Sequence, residues 1–74
     1  MLSIAKLRPL PQRKVIEILH SNGFQEARSS KHITFKKNLG DRVLTTWVPH
    51  HSEVSVFVIQ YIIKQTEKER SEFE

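Results

Sequence analysis

Apolar positions along this chain change their period from one segment to the next, and each change marks an element. Over residues 11–21, Val15, Ile18 and Leu19 stand at i, i+3 and i+4 with Ile16 beside them, the stripe of an amphipathic helix. Pro11 suits its first turn, where a missing N–H has no partner to lose, and Pro9 and Pro11 hold the lead over residues 1–10 extended. Asn22-Gly23 stops the helix, because glycine adopts the left-handed terminal conformation without steric cost, and Phe24 then returns the chain to the core. A short strand is expected over 24–28, a turn at Ser29-Ser30, and a clearer strand over 31–37. In that strand Ile33 and Phe35 share one face, while His32, Thr34 and Lys36 share the other.

Residues 42–48 (Arg-Val-Leu-Thr-Thr-Trp-Val) are rich in β-branched and aromatic types and predict a third strand, ended by Pro49. The hairpin loop Asn38-Leu39-Gly40-Asp41 admits two registers. A three-residue loop with Gly40 left-handed after a type I turn sets Phe35 near Val43 and Trp47 on the core face; a two-residue loop shifts the pairing by one. His50-His51-Ser52-Glu53 is a polar connector, with Ser52 the expected N-cap of the next element. Residues 53–66 favour strand by propensity, yet they run about 14 residues without a turn signal into a helix-forming Lys64–Arg70 stretch, so a buried helix is expected. The order is α-β-β-β-α. It predicts an α+β fold in one domain, with both helices on one face of a three-stranded antiparallel sheet and a polar tail over 68–74.

Seventy-four residues leave room for a single core, and so short a chain buries only about 60% of its unfolded surface. Without cysteine there is no disulfide framework, thiol catalysis or thiolate metal site. No apolar run approaches the roughly 20 residues of a membrane span and no signal peptide is visible, so a cytoplasmic protein is expected. Charge alters the picture more. The net charge is +4, but residues 1–40 hold eight basic and two acidic residues while residues 41–74 hold four and six. A cationic first half points to a polyanion as partner.

His32 stands in the middle of that cationic half, between Lys31 and Lys36 on the polar phase of its strand. An imidazole titrates near neutral pH, and beside a phosphate it can move protons. Lys31, Lys36 and Arg28 are the nearby groups for holding phosphate charge, with Lys37 a further candidate for contacting a polyanion backbone. His50, His51 and Glu53 lack the i, i+4 spacing that places two zinc ligands on one helical face. No metal and no cofactor is expected.

Several of these segments together resemble a known family. Lys14-Val15-Ile16-Glu17-Ile18-Leu19 with Asn22-Gly23-Phe24 after it is similar to the first helix of HicA-type toxins and its N-G-F-like turn. His32 with Phe35 three residues later resembles their G-S-H-x-x-F signature, Val48-Pro49-His50-His51 their V-P-x-H, and Ile62-Ile63-Lys64-Gln65 the I-L-K-Q of their last helix; Phe73 matches a terminal phenylalanine. The chain departs from the pattern at Ser30-Lys31, where Gly-Ser is usual, and at Phe57, where glycine often opens the last helix. The resemblance implies a fold like that of double-stranded-RNA-binding domains. It also implies a toxin that cleaves messenger RNA, inhibited by a HicB-type antitoxin encoded beside it. The family's catalytic histidine falls on His32, and His51 matches the histidine after proline, an auxiliary proton-transfer group or RNA contact. Two other readings stand beside it: a non-catalytic double-stranded-RNA-binding module using the same basic face, and a degenerate toxin acting only through its partner.

Overall fold

A computed structural model describes residues 6–74, so the part of the expected extended lead that falls on residues 1–5 lies outside the described residues. In chain order the elements are β1 (Leu10–Pro11), α1 (Gln12–Ser21), β2 (Gln25–Ser29), β3 (His32–Asn38), β4 (Val43–Pro49), β5 (Glu53–Val54), α2 (Val56–Thr66) and a final 3₁₀ turn (Arg70–Phe73). β2, β3 and β4 form an antiparallel sheet with β3 in the centre, and β1 pairs with β5 in a separate two-residue ladder. Apart from that ladder, this is the α-β-β-β-α fold of double-stranded-RNA-binding domains.

Both helices lie on one face. Val15, Ile18 and Leu19 of α1 and Ile59 and Ile62 of α2 meet Ile33, Phe35 and Val48 of the sheet in one buried cluster, joined by Phe24, Val54 and Phe73. α1 ends as its sequence requires. Gly23 takes φ +87°, its N–H bonds the His20 carbonyl at 3.0 Å, and the Phe24 N–H bonds the Leu19 carbonyl at 3.0 Å. That is the Schellman arrangement, with Leu19 and Phe24 both buried at the point where its hydrophobic contact falls. The Asn22 side chain then bridges the Ile18 carbonyl and the Glu72 carboxylate, each at 2.8 Å, so the end of α1 also holds the C-terminal turn.

Of the two hairpin registers that the sequence admits, the loop takes the two-residue one: Leu39 donates to the Arg42 carbonyl at 2.8 Å and Gly40 takes φ +97° as the first turn residue, the only one of the pair with positive φ, as a type II′ turn demands. The Asn38 side chain accepts from the Gly40 N–H at 2.7 Å and fixes the turn. Phe35 therefore pairs with Thr46 rather than lying near Val43, and Trp47 pairs with Thr34 on the face away from the helices. Thr46 tolerates the core position because its hydroxyl donates to Gln65 Oε1 of α2 at 2.7 Å. Finally, Ser55 and not Ser52 caps α2, accepting from the Val58 N–H at 3.4 Å, because Glu53 and Val54 are drawn into pairing with Pro11 and Leu10. Near the end of the chain, Phe73 is fully buried.

Candidate active site

The face of the sheet opposite the helices is built from alternate residues of three strands. On β3 these are His32, Thr34 and Lys36; on β4 their partners are Pro49, Trp47 and Thr45. On β2, Gln25 pairs with Lys36, and the register then slips between Glu26 and Arg28. Ala27 is the extra residue. Without that bulge Arg28 would follow the core phase; with it, Arg28 stands opposite Thr34 on the open face. Ala27, Arg28, Thr34 and Lys36 line a hollow of about 280 Å³ there. A hollow lined by two cationic side chains and a threonine suits a phosphate group.

His32 begins β3 and is exposed. Its imidazole lies against the Trp47 indole with ring centroids 4.3 Å apart and planes tilted by 40°, and Trp47 in turn meets Tyr61 of α2 edge-on at 6.2 Å. Packing through the ring face fixes the imidazole while leaving its nitrogens, which lie at the ring edge, free for proton transfer. Lys31 occupies the tip of the β2–β3 turn, closed by the Ser30 N–H on the His32 carbonyl at 3.1 Å. Lys37 points elsewhere. It stands beside Phe35 in phase, its ammonium lies 5.9 Å from the Phe24 ring centre, and its stem passes over Gly23.

A cleft of about 460 Å³ opens beside His32, lined also by Trp47, Pro49, His51, Glu53, Ser55 and Val58. The fold thus brings His32 and His51 to one concavity. The segment carrying His51 and Glu53 is pinned on both sides. Gln12 at the start of α1 donates its side-chain amide to the Pro49 carbonyl at 2.8 Å and its backbone N–H to the Ser52 carbonyl at 2.9 Å. His50 bonds the Ser30 carbonyl through Nε2 at 3.0 Å; a carbonyl only accepts, so Nε2 carries the proton. His20 is remote, edge-on to Phe35 at 5.7 Å. Phe57 is 84% exposed on α2, one turn before Tyr61. Among the described residues no group of three or more His, Asp or Glu side chains is arranged to hold a metal ion, and no helix is long and apolar enough to cross a membrane.

The sequence alone did not reveal the roles of Gln12, His50, Trp47 and Glu53: Gln12 carried no signal, His50 and Glu53 were weighed only as zinc ligands, and the face of Trp47 hung on the hairpin register. The first two act through contacts 37 and 20 residues away in the chain. Trp47 and Glu53 depended on a hairpin register and a strand pairing that composition does not reveal.

Fold and site together define a small α-β-β-β-α domain carrying a histidine on a cationic sheet face, beside the start of α2. The family model described as HicA toxin of bacterial toxin–antitoxin matches residues 13–67, and the chain belongs to that family. It is therefore a toxin of a toxin–antitoxin system, and an antitoxin is its partner. No curated protein and no solved structure matches the chain significantly.

Proposed function

We propose that the chain is a metal-independent endoribonuclease that cleaves messenger RNA with His32 as the proton-transfer residue. The observation that carries this reading is the placement of His32: on the open sheet face, on the same side as the Arg28–Lys36 hollow, and in a cleft that also holds His51. RNA supplies its own nucleophile. Neutral His32 takes the proton of the 2′-hydroxyl, the oxygen attacks the adjacent phosphorus, and the bond to the 5′-oxygen breaks. Arg28, Lys31 and Lys36 hold the negative charge that accumulates on the phosphoryl oxygens. His51, which lines the same cleft, is the candidate for protonating the leaving oxygen. The products are a 2′,3′-cyclic phosphate and a 5′-hydroxyl end. A HicB-type antitoxin encoded beside the toxin inhibits it by covering this face, in keeping with the family.

The test is cleavage of RNA by purified protein in excess chelator, with the product ends analysed. Parent protein should yield 2′,3′-cyclic phosphate. His32→Ala should fold and bind RNA as before and lose about 10²–10⁴-fold in rate. If that variant cuts as fast as the parent, His32 is not the base; if no condition gives a cyclic phosphate, the domain binds RNA without cutting it.

A further inference from the structure

One residue of the cleft does not fit a site built only for phosphate. Glu53 lines it beside His32 and His51, and a carboxylate there repels the substrate backbone. Nothing local accounts for it. The ion pairs among the described residues are Lys14–Glu17, Arg42–Glu67 and Arg70–Glu74, and Glu53 joins none of them. Nor does it cap α2, whose N-cap is Ser55. Its backbone pairs with Pro11, which holds the residue in place but asks nothing of its side chain.

The rest of the lining says what a carboxylate could meet. Trp47, Pro49 and Val58 are apolar walls, and a cleft of about 460 Å³ falls in the usual size range of small-ligand sites, roughly 300–1,000 Å³. In an RNA substrate the flat apolar group next to a phosphate is a base, and bases that are unpaired stack on aromatic side chains and are read along their Watson–Crick edge. A carboxylate only accepts hydrogen bonds. Guanine alone presents two adjacent donors on that edge, N1–H and the N2 amino group, matching the two carboxylate oxygens. Adenine and cytosine each offer one amino group beside an acceptor nitrogen, and uracil offers one N–H between two carbonyls.

We propose that this cleft is the subsite for an unpaired guanine adjoining the scissile phosphate, with the base against Trp47 and its Watson–Crick edge on Glu53. The inference rests on the ribonuclease reading and adds to it a base preference and the residue that sets it. Glu53→Gln retains the shape but replaces one acceptor by a donor, so it should lose the preference for guanine while keeping the fold.

Trp47 is the only tryptophan, so its emission reports on the cleft directly. The test titrates the full chain with 2′-O-methyl hexaribonucleotides, which lack the nucleophile, each carrying a single G, A or C in a uridine background, beside all-uridine. The guanine oligomer should quench emission at about ten- to a hundredfold lower concentration than the others, as expected for hydrogen bonds to a charged acceptor. Glu53→Gln, with an unchanged melting temperature, should bring all four together. Equal titration of the four by the parent, or a guanine preference that survives in Glu53→Gln, overturns the proposal. Cleavage of the corresponding RNA oligomers separates the two readings. Cutting without base preference removes the subsite and leaves the ribonuclease; guanine-selective quenching without cutting keeps the base subsite and removes the ribonuclease.

Discussion

Replacing Phe73 by alanine tests whether the last residues belong to the folding unit. The family match stops at residue 67, yet Phe73 is fully buried and packs into the cluster formed by α1, α2 and the sheet. Removing a buried phenylalanine side chain costs about 3–5 kcal/mol through lost transfer energy and the cavity left behind. A chain of 74 residues has a total stability of about 4–11 kcal/mol, so this one change removes about a quarter of it or more. For a domain this size each kcal/mol moves the melting temperature by about 4–8 °C, giving an expected fall of roughly 12–40 °C. The assay is urea and thermal unfolding monitored by circular dichroism. Ending the chain before Arg70 should cost about as much as Phe73→Ala, with a small addition for the lost Asn22–Glu72 bond, because Phe73 is the only buried residue of the 3₁₀ turn. Glu74→Gln removes only the partly exposed pair with Arg70 and should change stability by less than about 1 kcal/mol. A loss under about 1 kcal/mol in Phe73→Ala would show that the tail lies on the domain without holding it.

Other expectations separate the two faces of the sheet. Arg28→Ala, Lys31→Ala and Lys36→Ala should each lower the slope of log affinity against log salt for single-stranded RNA by about 0.7, whereas Lys37→Ala, whose stem covers Gly23 and Phe24, should leave it unchanged. Equal effects at Lys36 and Lys37 would refute the assignment of the open face. Gly40→Ala should cost about 1–2 kcal/mol in an unfolding titration from backbone strain alone, since φ is +97° and an added Cβ meets nothing within 4 Å. Gln12→Ala should reduce RNA cleavage while leaving the salt slope intact, because it frees the wall carrying His51 and Glu53 and does not touch the Arg28–Lys36 hollow.

The elements themselves were legible in the chain because each carried its own period. The Val15-Ile18-Leu19 stripe and the alternation from His32 to Lys36 depend only on neighbours within one element, and both helices and all three sheet strands lie within a few residues of expectation. What stayed open or was missed was relational. Whether Trp47 faces the core or the opposite side of the sheet turned on one residue of loop length, since a register slip of one reverses every side chain of a strand. Thr46 reads as a surface residue until Gln65 of α2 is known to accept its proton. The shift of the cap from Ser52 to Ser55 has the same origin, in a pairing with residues more than forty positions earlier. His32 was legible because its phase within β3 is independent of the hairpin register; its stacking partner was not, because Trp47 lies on the strand that the register moves.

That register also explains how a domain with so little core can hold a site in fixed geometry. β4 alternates between duties: Thr46 and Val48 are buried against the helices, while Trp47 and Pro49 line the cleft on the other side. Every cleft residue on β4 is thereby positioned by a core residue adjacent in sequence. The connector after Pro49 has no such partner within a strand, and it is there that the long-range tethers gather: Gln12 on Pro49 and Ser52, His50 on Ser30, and β1 on β5. All of them converge on one short stretch of chain, beside the end of the sheet where His32 stands. A connector needed only to link a strand to a helix would require none of them, because loops of this length are stable when solvated. Their concentration there is a physical reason, independent of any resemblance, to place the proposed chemistry at the junction of β3, the end of β4 and the start of α2.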